Sequence, residues 1–319
     1  MKRTDDIPRN GKSPVAATTA LKILALLALL TLAASAKGDL LVLREGGNDP
    51  AIVRFDDSGQ HIGGFGSSAE SIEGIAGSQS EIYISCNTLG SGQIVRLNPA
   101  CEVTATFTPE NFTFPGTIRV GPDGSLYAIA GTIRAGITSH VLKYDRQTGA
   151  LLDCVALSDD AGGSLFTDIA FSLNRQLYVA DFDKGVLRYN PNTGRFMGVV
   201  APVGSKGFSS PTALTLGPDG YLYVASRDRS AVYRLDGRNG RSLGIFVQPR
   251  SGGLSAPMGL AFGPDGNLYV TSFNTASVLR YHGRTGHFLD AFIDSNPNLE
   301  KPTRLMFTPT AVTRLTVRR

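Results

Sequence analysis

The sequence predicts an all-β protein, a six-bladed β-propeller of four-stranded blades in which the C-terminal strand closes the first blade. Three observations carry this reading. A unit of about 45 residues recurs six times. Each unit is split by turn residues into short apolar runs, and the last segment supplies what the first unit lacks. No stretch shows the apolar period of an amphipathic helix.

The repeat is clearest in two stretches that align almost without gaps, PTALTLGPDGYLYVASRDRSAVYRLDGRNGRSLGIFV at 211–247 and APMGLAFGPDGNLYVTSFNTASVLRYHGRTGHFLDAFI at 256–293. Further copies begin at Pro115 and Phe166, and a weaker one runs from Ile72. Marker tyrosines stand at Tyr83, Tyr127, Tyr178, Tyr223 and Tyr269, spaced by 44, 51, 45 and 46 residues. A first unit, Leu40–Phe65, has no such tyrosine. From Gly38 to Thr308 the six units occupy 271 residues, the length expected of four-stranded blades.

Within a unit, strand a is the GLAFG-like run, strand b is LYV, strand c is V-x-R-Y/L, and strand d is the apolar patch after the next turn. Apolar runs this short, bounded by Gly, Pro, Asn and Asp, are strands. The a–b turn reads Gly-Pro-Asp-Gly at 121–124, 217–220 and 263–266. Proline presets φ at the second position, and the closing glycine has the freedom to leave the turn. The c–d turn ends in Gly, as in Asp145–Gly149 and His282–Gly286. The first unit opens at Leu40 with strand b. Pro302–Phe307 aligns with Pro257–Phe262, so it is expected to serve as the missing strand a and remove an open sheet edge. The propeller therefore covers 37–310, with 311–319 as an edge strand or tail.

Residues 1–36 stand outside the repeat. A stretch containing Lys2, Arg3, Arg9, Lys12 and Lys22 precedes the apolar run Ile23–Leu32, and Ala34-Ser35-Ala36 offers small residues to a signal peptidase. This reads as a signal peptide cleaved after Ala36, with a secreted or periplasmic mature chain. The run is short for a membrane span, and the long cationic stretch leaves an N-terminal anchor as the alternative. Beyond residue 36 the chain has 26 Lys/Arg and 25 Asp/Glu. No basic stripe points to nucleic acid. The mature chain is expected to be a monomer with no membrane span.

Three cysteines, Cys86, Cys101 and Cys154, make an odd count for an exported chain. Cys86 closes strand b and Cys101 lies near the start of strand d, at opposite ends of one blade. Cys154 is on strand d of the next. A disulfide needs Cα atoms within about 7 Å, so no intramolecular bridge is expected.

The P-x-G-L-A-F-G-P-D-G-N-L-Y-V unit at 257–270 resembles the NHL-repeat, virginiamycin-lyase and gluconolactonase-like superfamily of six-bladed propellers, the TolB-like group, and the resemblance spans roughly 38–308. It implies fold more than activity, because one fold hosts many functions. In gluconolactonase-like relatives, metal ligands are expected just before strand a. The aligned positions here are Glu73, Gly116, Thr167, Thr212, Met258 and Thr303, with Asp168 one place later. Oxygen ligands suit Ca²⁺ or Mg²⁺, but Glu73 is the only aligned acidic residue. Lyases of the group rely on histidine, whose pKa suits proton abstraction. His61, His140, His282 and His287 are placed on or beside strand d, just before strand c, at the end of strand c, and at the start of strand d, all away from the mouth.

Residues following strand b vary between units and complete the candidate mouth: Asn87, Asp181, Arg227 and Asn274. The Asp181–Gly185 stretch has part of a calcium-loop pattern but lacks its terminal Glu, so a tight turn is the simpler reading. The cation in each strand c (Arg54, Arg96, Lys143, Arg188, Arg234, Arg280) recurs in every unit and reads as packing or surface pairing. Asn111-Phe112-Thr113 is a glycosylation sequon by pattern alone. The sequence thus favours an exported binding module that takes a protein, glycan or small molecule on one face. The alternative is a divalent-metal-dependent lyase or lactone/ester hydrolase, with Glu73, Asp168 and Asp181 as the acids. A structural cell-envelope role is a third reading.

Overall fold

The computed structural model describes residues 38–45, 51–66, 71–78, 80–88, 91–109, 115–132, 138–158 and 165–309. The expected signal peptide, the sequon at Asn111 and the tail 311–319 lie outside the described residues.

Among the described residues twenty-four strands form six antiparallel four-stranded sheets. The first blade holds β1 (Leu40–Arg44), β2 (Ile52–Phe55) and β3 (His61–Phe65). The second holds β4 (Ser71–Gly77), β5 (Ile82–Thr88), β6 (Ser91–Leu97) and β7 (Val103–Phe107). The third holds β8 (Pro115–Val120), β9 (Leu126–Thr132), β10 (Thr138–Tyr144) and β11 (Leu151–Leu157). The fourth holds β12 (Phe166–Phe171), β13 (Leu177–Asp181), β14 (Gly185–Tyr189) and β15 (Phe196–Pro202). The fifth holds β16 (Pro211–Leu216), β17 (Leu222–Ser226), β18 (Ala231–Leu235) and β19 (Ser242–Val247). The sixth holds β20 (Pro257–Phe262), β21 (Leu268–Ser272), β22 (Ser277–Tyr281) and β23 (Phe288–Ile293). The final strand, β24 (Pro302–Phe307), pairs antiparallel with β1, setting Leu40 against Phe307 and Val42 against Leu305. Thr308 N–H donates to Asp39 O at 2.8 Å, and Asp39 N–H donates to Thr308 Oγ1 at 2.8 Å. The C-terminal strand therefore closes the first blade, as the repeat phase requires. Among the described residues the named helical segments are short 3-10 turns at Ser205–Gly207, Ser251–Gly253 and Phe273–Thr275. None is long and apolar enough to cross a membrane.

The blades join through a wedge built on the marker tyrosine. Tyr223 is fully buried between Phe246 of its own blade and Phe262 of the next, with ring centroids 4.8 and 4.9 Å away and edge-on geometry. Tyr269 sits likewise between Phe292 and Phe307, so the closing strand repeats the joint. Each such aromatic pair is worth about 0.5–1.5 kcal/mol beyond the area it buries.

The turn sequence follows from this wedge. A Cβ on Gly121, Gly217 or Gly263 would fall 2.3–2.5 Å from the marker ring, so the first glycine of Gly-Pro-Asp-Gly is set by close approach. The last glycine adopts left-handed φ (+82°, +80° and +75° at Gly124, Gly220 and Gly266), which only glycine takes without strain. In the fourth blade Arg175 holds that position at φ +59°. The turn aspartates receive the tyrosine hydroxyls: Tyr127 donates to Asp123 (3.0 Å), Tyr223 to Asp219 (2.7 Å) and Tyr269 to Asp265 (3.0 Å). Burial, aided by these carboxylates, raises the tyrosine pKa values, to about 12 for Tyr269. The strand-c cation completes the set, Lys143 on Asp123 at 2.8 Å and Arg280 near Asp265 at 3.6 Å. Arg96 pairs with Glu81, and Arg54 with Asp39. The recurring cation is thus part of the blade fastening.

Candidate functional site

The inner strands β4, β8, β12, β16, β20 and β24 contact one another in sequence and close a ring about the axis. The d–a and b–c loops meet on one face, where Phe182 N–H donates to Leu165 O, Arg227 N–H to Ser210 O and Phe273 N–H to Ala256 O. We call this the loop face and the opposite end, with the a–b and c–d turns, the turn face.

Each inner strand is irregular at its first residues. Register shifts fall at Ile72/Gly74, Pro115/Ile118, Phe166/Asp168, Pro211/Ala213 and Pro257/Leu260, and β24 has one against β1. Such bulges re-aim side chains. Here they turn backbone carbonyls and a charged cluster toward the axis.

The cluster is Arg119, Asp168 and Arg304. Arg304, on the closing strand, donates through Nη1 to Thr212 O and Met258 O, both 2.8 Å, and through Nη2 to Thr167 O at 2.6 Å. One guanidinium thereby links three other blades. Asp168 is fully buried and lies 3.8 Å from Arg304 Nη1. It also receives Arg119 Nη2 at 2.9 and 3.0 Å and the backbone N–H of Leu214 at 2.9 Å. Arg119 reaches across to Ile75 O at 3.3 Å. Only 13% of the Arg304 side chain remains accessible. Burial pushes its pKa down, and Asp168 opposes that shift. A buried cation is tolerable because it is paired and three of its N–H groups meet carbonyl oxygens.

The threonines aligned as ligands act as stitching. Thr167 Oγ1 donates to Pro211 O at 2.8 Å, Thr212 Oγ1 to Pro257 O at 2.7 Å, and Thr303 Oγ1 to Leu43 O at 3.4 Å. Glu73 is exposed and accepts a hydrogen bond from Ser71. Asn87 is half-buried in β5, opposite Ser71. Asp181 is buried, and its Oδ1 accepts the backbone N–H groups of Asp183 (3.1 Å) and Lys184 (2.9 Å), which makes the segment an Asx turn. Arg227 and Asn274 are exposed on the loop face, where Asn274 donates to Ser255 Oγ at 3.0 Å. The axis therefore gathers Thr167, Asp168 and Thr212 around Arg304, while Asn87, Asp181, Arg227 and Asn274 lie out along the b–c loops.

Two corrections concern the axis. The aligned acid Glu73 is not the buried one; Asp168, one place later, is. The two arginines that dominate the axis were not singled out, although both break the repeat: Arg119 stands where other units have Ala, Thr or Met, and Arg304 where they have Gly, Thr, Asp or Ala. A third correction is smaller, since His140 lies inside β10 rather than before it. Cys86 and Cys101 are buried and Cys154 is exposed, with no disulfide among them.

These residues do not fit a divalent ion. The carbonyl oxygens that could face one already receive a guanidinium, and Asp168, the buried carboxylate of the cluster, is shared between two arginines. Among the described residues no three His, Cys, Asp or Glu side chains gather. On the turn face a groove of about 400 Å³ runs between Asp219, Asp265, Asn267, His282 and Arg284, but both aspartates already hold tyrosine hydroxyls.

No family model and no curated protein matches the sequence. Solved structures do match in fold. A protein of unknown function from Bacteroides caccae superposes with a TM-score of 0.65 at 16% identity, over 84% of this chain and 98% of that one. A chain of a nidogen/laminin complex gives 0.65 at 15% identity, over 86% and 99%. The periplasmic gluconolactonase of Pseudomonas aeruginosa gives 0.56 at 17% identity, over 86% and 99%. Virginiamycin B lyase from Staphylococcus aureus gives 0.51 at 17%, over 76% and 78%. The chain is a six-bladed β-propeller with the fold shared by these gluconolactonase and virginiamycin lyase structures.

Proposed function

We propose that this propeller is an exported binding module, which presents its loop face to a partner and does not carry out metal-dependent lyase or lactonase chemistry. The observation that supports this reading is the axial guanidinium. Arg304 occupies the point where several blades' carbonyls converge, and its positive charge disfavours a second cation there. Of the aligned positions, Glu73 alone is left with an exposed acid, and it offers a single carboxylate. The loop face instead offers varied side chains on a rigid scaffold, the usual arrangement for recognition. One fold neighbour comes from a nidogen/laminin complex, which agrees with protein binding as a use of this scaffold.

The test is an activity screen of the purified chain against lactones, aryl esters and cyclic depsipeptides, with Ca²⁺, Mg²⁺ or chelator. The expected result is turnover no greater than buffer alone under every condition. Metal-dependent turnover that disappears in Glu73→Ala or Asp168→Ala would overturn the reading in favour of the enzyme.

A further inference from the structure

The charge of the ring is divided. Residues 38–164, the first three blades apart from the closing strand, carry seven Lys/Arg against fifteen Asp/Glu, a net −8. Residues 165–301, the last three, carry fourteen against ten, a net +4. On the loop face of the fourth and fifth blades this excess becomes a patch. Lys206, Arg227, Arg229 and Arg250 are exposed there and Lys184 is half-exposed. None of the five forms an ion pair among the described residues.

The loops that carry them interlock. Val203 N–H donates to Lys184 O at 3.1 Å, and Arg250 N–H to Ser230 O at 2.8 Å. The Arg229 guanidinium lies over Gly207, where a Cβ would be 2.6 Å from Nη2. Lys206 and Arg250 both hold left-handed backbone, φ +51° and +59°. The cations thus stand on one continuous, braced surface. Two exposed carboxylates share it, Asp183 and Asp228, and Asp228 accepts the Ser210 hydroxyl at 2.5 Å.

We propose that this patch docks an acidic segment of a partner protein. The proposal rests on the binding-module reading and names the partner's chemistry. Three arginines suit planar carboxylates, which they grip bidentately. Phe182 is the one partly exposed ring in the four loops and Phe208 is buried, so the row of aromatic faces on which successive bases of single-stranded nucleic acid stack is missing. Val203, 39% exposed beside Gly204, adds an apolar contact of the kind protein interfaces use. The acidic half of the ring repels the same partner and so orients it onto the last three blades.

The full chain, purified as expressed, is tested by biolayer interferometry against a tethered peptide of repeating Glu-Ser-Asp-Gly, against heparin and against duplex DNA. The peptide binds, and more weakly as salt rises, because screening shortens the reach of surface charge. Replacing Arg227, Arg229 and Arg250 by Ala weakens binding at least about tenfold. The matched turn-face variant, Arg195→Ala/Arg238→Ala/Arg284→Ala, changes it less than about twofold. Equal loss in both variants, or heparin or DNA held while the peptide is not, overturns the patch and leaves the binding-module reading to its own turnover test. Absence of peptide binding by the native chain overturns the patch in the same way.

Discussion

Arg304→Met removes the axial guanidinium while keeping the length of the side chain. The structure fixes what is lost: three hydrogen bonds of 2.6–2.8 Å to carbonyls of three blades, and the second positive neighbour of Asp168. Hydrogen bonds to a charged group contribute about 1.5–3 kcal/mol each, but such terms do not add within one network. Breaking a buried pair by removing one partner costs about 3–5 kcal/mol. We expect the lower part of that range, because Arg119 still holds Asp168 and water can reach the vacated carbonyls. At about 2–4 °C per kcal/mol for a domain near this size, Tm falls by about 6–12 °C. Urea unfolding should show a lower midpoint with an unchanged slope. Arg304→Lys, which keeps the charge but not the fork, should fall between the two. A change in stability below about 0.5 kcal/mol for Arg304→Met, the size of an ordinary surface substitution, would refute the axial role assigned to this residue.

Three further outcomes are expected. Gly217→Ala forces a methyl to within 2.5 Å of Tyr223 Cε2 and 2.6 Å of Asp219 Oδ1, so urea unfolding should show a loss of about 1–3 kcal/mol, the usual range for overpacking. Above about pH 10 the chain should lose stability. Burial raises the tyrosine pKa values at Tyr127, Tyr223, Tyr269 and Tyr281, so the fold holds those protons and weakens as the unfolded chain releases them; thermal unfolding across alkaline pH reads this. On the acid side, burial works against ionisation of Asp123 and Asp265, but bonds from Lys143, Ser125 and Tyr127 at the first, and bonds from Asn267 and Tyr269 with the nearby charge of Arg280 at the second, outweigh it and hold both below 3.8. Their contribution is present above about pH 4 and disappears as pH falls through the folded values, which acid titration followed by circular dichroism measures.

The fold was legible because propeller blades repeat. Spacing of the marker tyrosines sets the blade length, and the missing strand a before Leu40 calls for Pro302–Phe307 to close the ring. The tyrosine wedge was only half legible. The sequence shows Gly-Pro-Asp-Gly as a turn, yet the contact that excludes a Cβ at its first glycine comes from a ring six residues ahead and becomes visible only when the sheet is folded. The axis was the least legible part. Aligning units brings equivalent positions together but does not show which way each side chain points, because every inner strand starts with a bulge. Thr167 and Thr212 consequently bond to neighbouring strands, while Asp168 and Arg304 turn inward. The available signal was departure from the repeat, since an arginine at 119 and another at 304 stand where no other unit has a cation.

On the proposed reading, the positive charge at the propeller axis belongs to Arg304 rather than to a bound metal. Elemental analysis of the undialysed protein by mass spectrometry, after expression in medium supplied with Ca²⁺, Mg²⁺, Mn²⁺ and Zn²⁺, tests it most directly. Every metal is expected far below one equivalent per chain. A single metal near one equivalent, lost in Asp168→Ala or Glu73→Ala, would contradict it.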